Sequence, residues 1–305
     1  MKLGLLTAAF PGKSLSEVAE WASQNGFQML ELACWPLGKA TRRYAGVTTL
    51  DVAGFGQKQA DETREIMKKF GLEISSLGYY PNPLHPDSEH RKVVIDHLMK
   101  VIDAAALVMD HPIVGTFVGK DKDKTIEANF ETFKQIWPEI VHYAGDKGVK
   151  IAIENCPMIF SNDEWPGGNN LASTPAIWRE MFSIIPDENF GLNLDPSHLV
   201  WLMIDPLRVV REFSERIFHI HAKDLEIDLD GLYENGTQSL GMGWQIPRLP
   251  GLGQIDWGSF ISQLYRYGYD YVISIEHEDR QFEGTEELVK RGFLISRDIL
   301  KPYMH

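Results

Sequence analysis

Short apolar runs alternate with amphipathic stretches along the whole chain. The apolar runs fall near residues 2–7, 27–33, 74–80, 112–118, 150–155, 190–195, 217–222 and 271–276. Their length and the turn residues around them predict strands. Apolar residues at helical spacing fill the gaps, near 14–25, 57–70, 88–109, 124–147, 174–185, 205–214, 257–267 and 284–300. Eight strand–helix units in succession predict an α/β fold, a closed (β/α)₈ TIM barrel. No Ser/Gly linker or composition shift divides the chain, so one domain over residues 1–305 is expected.

The connections support this reading. Links from helix to next strand are short, and Gly26, Gly71, Gly148 and Gly268 stand where helices should end. Glycine there accepts the left-handed conformation of a C-cap. Links from strand to next helix include three long ones, near 34–56, 156–173 and 223–256. The spare chain is therefore expected on the face where strand C-termini emerge, the active face of such barrels. The last of these loops is glycine-rich and carries Tyr233, Trp244 and Arg248, which suits a substrate lid. Asp256 before Trp257 is read as a helix N-cap.

Four strand segments share one grammar: Ile151-Ala152-Ile153-Glu154, Leu192-Asn193-Leu194-Asp195, Phe218-His219-Ile220-His221 and Ile273-Ser274-Ile275-Glu276. One parity is bulky and apolar; the other is small or polar and ends in a carboxylate or imidazole. Alternate strand residues point to opposite faces, and fully buried parallel strands are normally apolar throughout. Four such departures on successive strands predict four tips converging on one site. Two Glu, one Asp and one His form a mostly hard-oxygen set. It suits one divalent metal ion, Mn²⁺ first, with Mg²⁺, Co²⁺ or Zn²⁺ as alternatives. Cysteines at close spacing, the mark of a structural zinc site, are missing.

Composition narrows the partners. The formal charge of −13 disfavours nucleic acid and membrane surfaces. No apolar run approaches the roughly 18 residues that span a bilayer. The apolar start at Met1–Phe10 is read as a first strand, which makes a cytoplasmic protein the expectation. The two cysteines, Cys34 and Cys156, make no disulfide framework. Cys156 is read as a small hydrophobe near the site. No phosphate-cradling glycine loop is present, so no nucleotide cofactor is expected.

Several motifs together resemble the xylose isomerase-like TIM-barrel superfamily. They are Ile153-Glu154-Asn155, Leu194-Asp195-Pro196-Ser197-His198, His219-Ile220-His221-Ala222-Lys223-Asp224, Leu249-Pro250-Gly251-Leu252-Gly253-Gln254-Ile255-Asp256-Trp257 and Ser274-Ile275-Glu276-His277-Glu278. Within it they resemble the sugar phosphate isomerase/epimerase group, with its ketose 3-epimerases, inosose dehydratases and hydroxypyruvate isomerases. The resemblance implies that Glu154, Asp195, His221 and Glu276 bind one metal ion, that Glu154 and Glu276 also move protons, and that His198 contacts substrate oxygens. The ketose 3-epimerases carry an arginine shortly after the metal-binding histidine. This chain has Lys223 there, and Lys223 or Arg248 is expected to supply the substrate-facing cation.

The implied activity is isomerisation or epimerisation of a small sugar or polyol through an enediolate. The alternatives are a lyase or dehydratase acting on a keto-sugar, keto-glycoside or inosose and, more remotely, an apurinic-site endonuclease. Trp35 and Tyr79 are candidate sugar contacts; Tyr80, Trp165 and Trp244 carry the same choice between sugar contact and ordinary packing. Glu31 either orients a cation or hydroxyl or forms a structural ion pair. His219 is read as a packed, hydrogen-bonded histidine one layer below His221. His277 and Glu278 could support the ligands from behind. Self-association is possible, with no contact surface identifiable.

Overall fold

A computed structural model describes residues 1–38, 46–159, 168–237 and 243–305. The eight expected strands are all present: β1 (Lys2–Leu6), β2 (Met29–Ala33), β3 (Glu73–Gly78), β4 (Ile113–Thr116), β5 (Lys150–Glu154), β6 (Phe190–Leu194), β7 (Ile217–Ala222) and β10 (Val272–Ile275). They pair in parallel as one closed barrel, β1 lying between β2 and β10. Helices α1 (Leu15–Gln24), α2 (Gln57–Phe70), α3 (Ser88–Val108), α4 (Ile126–Asp146), α5 (Pro175–Ile184), α7 (Pro206–Phe213), α9 (Trp257–Arg266) and α10 (Glu286–Leu300) fill the expected gaps.

Local chemistry fixes the helix ends. Ser14 and Glu17 form a reciprocal capping box at α1, and Asp256 accepts the Ser259 N–H at the start of α9. Gly71 ends α2 with φ +65°, where a side chain would be strained. The core is the sleeve between strands and helices, where Leu30, Leu32, Ile151, Ile153, Leu192, Leu194, Ile273 and Ile275 meet Trp137, Trp178, Phe260 and Phe293.

The expected parity fails at one residue. The β6–β7 register slips between Leu192 and Asn193. Ile217 and Ile220 therefore join the outer core, while Phe218 packs with Ile113, Ala152 and Tyr271 at the strand N-termini. A bulge adds one residue to a strand and re-aims the side chains beyond it. His219 and His221 stay inside the barrel, and Phe218 helps to close its floor.

Among the described residues, unexpected elements in the loops include the short helices α6 (Pro196–Trp201) and α8 (Leu229–Asn235) and a hairpin of β8 (Asp224–Ile227) with β9 (Gln245–Arg248). The hairpin gives order to the long loop after β7. Its anchor is Asp224, fully buried. The Asp224 carboxylate accepts from Leu225 N at 2.8 Å, Gly251 N at 3.0 Å, Ile255 N at 3.1 Å and Trp257 Nε1 at 2.9 Å. A Cβ at position 253 would lie 2.3 Å from Asp224 Oδ1, so the close approach requires Gly253. The Leu249–Trp257 motif is therefore a cradle for this carboxylate. Among the described residues no helix is long and apolar enough to cross a membrane.

Replacing Asp224 by Ala would strand four donors, three of them backbone. The expected loss is about 3–5 kcal/mol in chemical denaturation, with a smaller loss for Asp224→Asn. A loss below about 1 kcal/mol for Asp224→Ala would contradict the anchoring role.

Candidate metal centre

Barrel closure brings the four strand-end residues together. Glu154 ends β5, Asp195 comes directly after β6, His221 lies in β7 and Glu276 comes directly after β10. Each offers one ligand atom, and these atoms all lie within 4.8 Å of one another. Glu154, Asp195 and His221 are buried, and the Glu276 side chain is only 14% exposed. His221 Nδ1 is the nitrogen that faces the carboxylates, 3.3 Å from Glu154 Oε1 and 3.5 Å from Glu276 Oε2.

Each side chain is held in place from behind. Asp195 is the N-cap of α6, and its Oδ1 accepts the Ser197 N–H at 2.8 Å. Asn155, next to Glu154, ties β5 to β6: its amide donates to the Asp195 carbonyl at 2.9 Å and accepts the Asp195 N–H at 2.7 Å. Asn170 donates to the Glu154 carbonyl at 3.0 Å. His221 Nε2 donates to Glu31 Oε2 at 2.7 Å, so Nδ1 is left to face the other ligands. A carboxylate behind a histidine fixes the ring and makes it a better ligand.

Glu31 thus forms a buried ion pair with His221, the second of its two expected readings, and it heads a buried polar chain. Tyr80 OH donates to Glu31, Asn193 Nδ2 donates to Tyr80 OH at 2.9 Å, and His219 Nδ1 donates to Asn193 Oδ1 at 3.0 Å. His219 Nε2 meets Ser75 Oγ at 3.2 Å. Small residues make room for this chain: a Cβ at Gly115 would lie 2.3 Å from Tyr80 OH. His219 is packed and hydrogen-bonded, as its parity suggested. It joins Glu31 and His221 in a second, fully buried group of metal-type side chains.

Charges are strongly coupled in so dry a place. Burial works to raise Glu31, but the His221 and His219 rings and the Tyr80 hydroxyl hold it at about 2. Burial likewise opposes ionisation of Glu276, and Lys223 and His221 outweigh it and hold Glu276 at about 2. Glu154 is also held low against burial, by hydrogen bonds from His198 and His221. Burial raises Asp195, even with Lys223 and His198 nearby. Burial pushes His219 down to about 4. Without metal, the site is balanced by protonated His221 and by Lys223, both held far up by the surrounding carboxylates despite burial. Asp195 Oδ2 is buried and accepts no well-directed hydrogen bond. Three carboxylates largely out of water, an imidazole nitrogen turned toward them and an oxygen without a well-directed hydrogen bond fit a divalent cation.

Lys223 is the cation brought to the site. Its Nζ lies 2.6 Å from Glu276 Oε2, 3.1 Å from Asp195 Oδ2, 3.1 Å from Glu278 Oε2 and 3.3 Å from His198 Nε2. His198 Nε2 is 3.3 Å from Asp195 Oδ2 and 3.5 Å from Glu154 Oε1. Arg248 is not brought to the site. It bonds Asp279 at 2.8 Å, and Glu226 as well, locking the hairpin to the segment after β10. Its expected substrate role gives way to this structural one.

Tyr79 is also corrected. Its ring meets His97 of α3 at 4.7 Å in the outer core, and its neighbour Tyr80 faces the site instead. Trp35 stacks obliquely on Tyr80, with Phe117, Met158 and Cys156 completing an apolar wall. Trp244 is buried against Trp201, Ile159 and Leu225. His277 is buried against Phe293. Trp165 lies outside the described residues. Asn155, Asn170, Asn193 and Ser75 were not foreseen. The available signal was polar residues on the inward parity of apolar strands, plainest at Asn193, two before Asp195.

The chain belongs to the xylose isomerase-like TIM barrel family, whose model matches residues 19–299. It is 26% identical over 305 aligned residues to protein YfiH of Bacillus subtilis (strain 168), covering 92% of this chain and 93% of that one. It is 22% identical over 262 residues to an inosose dehydratase of Clostridium botulinum, covering 79% and 84%. Two solved structures share the fold across the chain. D-psicose 3-epimerase of Clostridium cellulolyticum H10, crystallised with D-tagatose, has a TM-score of 0.68 and 16% identity, with 100% of each chain covered. The IOLI protein with a bound zinc atom has a TM-score of 0.70 and 17% identity, with 100% and 99% covered.

The support behind the ligands can be tested in two ways. Glu31→Gln is expected to weaken Mn²⁺ or Zn²⁺ binding by about 10- to 100-fold in calorimetric titration; unchanged affinity would remove Glu31 from this role. His219 stays neutral in the fold down to about pH 4, whereas an unfolded histidine binds its proton near 6.5. Between those values the unfolded state holds more protons, so stability falls as pH drops. The metal-free wild type should lose up to about 3 kcal/mol more than His219→Gln across this window. Parallel stability–pH curves for the two proteins would refute it.

Proposed function

We propose that this chain is a divalent-metal-dependent enzyme that moves a proton on the carbon beside a carbonyl of a small sugar or polyol, as an isomerase or epimerase. The observation that carries this is the convergence of Glu154, Asp195, His221 and Glu276 within 4.8 Å. These four residues would hold the ion, with Mn²⁺ preferred and Mg²⁺, Co²⁺ or Zn²⁺ as alternatives. The zinc of the IOLI structure supports a cation in a barrel of this kind. Such an ion supplies Lewis acidity toward adjacent carbonyl and hydroxyl oxygens.

The rest falls to side chains. Glu154 and Glu276 are held in their ionised form, so either can accept a carbon-bound proton; for the other to deliver one, it must first take up a proton from a substrate hydroxyl or from solvent. Return to the opposite face of the same carbon gives an epimer. Return at the neighbouring carbon exchanges aldose and ketose. Lys223 and His198 lie beside both glutamates and Asp195, close enough to orient and neutralise substrate oxygens. The wall of Trp35, Tyr80 and Phe117 offers aromatic surface to the apolar side of a sugar. The D-psicose 3-epimerase structure supports this class of reaction.

A second reading, a dehydratase or lyase on an inosose, keto-sugar or keto-glycoside, has its own support. The chain matches an inosose dehydratase over most of both lengths. Lys223, where the resemblance leads one to expect arginine, is an ammonium that could hand a proton to a departing β-oxygen.

Metal-loaded protein incubated with ketoses, inososes and keto-glycosides in D₂O separates these readings. Deuterium on carbon in a product of otherwise equal mass supports isomerisation or epimerisation, and an eliminated fragment supports the second reading. Glu154→Gln and Glu276→Gln are expected to remain folded and lose about 100- to 10,000-fold in turnover. Near-wild-type turnover in either metal-loaded variant, or activity that survives complete chelation, would reject the proposal.

A further inference from the structure

Lys223 stands in an unusual place for a residue beside a cation site. Its side chain is 4% exposed, and its ammonium touches two of the four groups assigned to the metal. It does so on the oxygens the ion needs. Asp195 Oδ1 is committed to the Ser197 N–H, which leaves Oδ2, the atom 3.1 Å from Lys223 Nζ. Glu276 Oε2, 2.6 Å from Nζ, is also the atom that approaches His221 Nδ1. Lys223 comes directly after β7, two residues past the inward-facing His221, and its side chain lies over the ligands. Glu278, outside the ligand set, is within 3.1 Å and would keep the ammonium nearby.

We propose that Lys223 is a built-in competitor for the divalent ion, with ammonium and ion sharing Asp195 Oδ2 and Glu276 Oε2. This rests on the metal-dependent reading above. Two cations that seek the same buried oxygens oppose each other, and so little water reaches them that screening is weak. The ammonium therefore has two effects. It offsets the carboxylates when the ion is absent, and it lowers the affinity for the ion when it arrives. A purely structural lysine would do the reverse, since its loss would loosen Asp195 and Glu276 and weaken metal binding.

The test is calorimetric titration with Mn²⁺ at fixed pH and ionic strength, comparing wild type with Lys223→Met and Lys223→Gln. Both variants are expected to bind Mn²⁺ at least about tenfold more tightly. The rise in Tm on adding Mn²⁺ should also be larger in the variants than in wild type. That readout holds even where a metal-free variant is poorly folded, because binding to the folded state alone raises stability. Equal or weaker affinity in the variants, or an equal or smaller rise in Tm, would overturn the competitor role while leaving the metal site intact. Failure of wild type and variants alike to bind any divalent ion would overturn the metal-dependent reading and this proposal with it.

Discussion

Three carboxylates and an imidazole have been drawn largely out of water at one end of this barrel, and their nearest ligand atoms lie within 4.8 Å of one another. Negative charges so placed repel strongly unless cations and donors accompany them. Most of the uncommon residues nearby answer that need. His221 and Lys223 carry positive charge into the group, and Asn155, Asn170 and Ser197 N–H restrain its backbone and its Asp195 oxygen. Asp195 Oδ2 remains without a well-directed donor. The arrangement is balanced without being saturated, which is what the proposed exchange of a proton and an ammonium for a divalent ion would require.

The fold makes this convergence possible through two simple features. Parallel strands all finish on one face, so four residues from distant parts of the chain share one rim. The interior is then thinned by small residues. Gly78 and Gly115 leave the volume that Glu31 and Tyr80 occupy, and Gly253 lets the loop backbone close on Asp224. With larger side chains there, Glu31 could not reach His221, and the hairpin after β7 would lose its anchor.

Much of this was legible in the sequence because it is periodic. The eight strands, their order and the four converging tips come from a two-residue alternation that only a strand explains. Residues that act across the barrel were harder to read. Tyr79 and Tyr80 are adjacent and chemically alike, yet one faces helix α3 and the other the site, a choice made where the strand ends and its alternation stops. Phe218 kept the apolar parity of its strand until the β6–β7 bulge moved it to the floor. Arg248 looked like a free cation because Asp279 and Glu226, its partners, lie 31 and 22 residues away. Pairings of that kind are written in tertiary geometry alone.

The site also divides into two parts of different stiffness, and this bears on its chemistry. Below the ligands, Ser75, His219, Asn193, Tyr80, Glu31 and His221 form one continuous buried chain in which each group fixes the donor or acceptor role of the next. Rotating any one ring would orphan a neighbour, so His221 has one orientation. At the open rim, Glu276 and, beyond the four-residue group, Glu278 are 14% and 30% exposed, and the ammonium they share ends a flexible four-carbon stem. The proposed proton transfer would need both properties: a fixed frame that holds charge in place, and a few adjustable groups that track substrate oxygens as their charge changes. The rigid half is built from buried strand residues and the adjustable half from residues at or just past the strand tips. The mobility that the proposed catalysis requires can thus be confined to the open end without loosening Glu154, Asp195 and His221 beneath it.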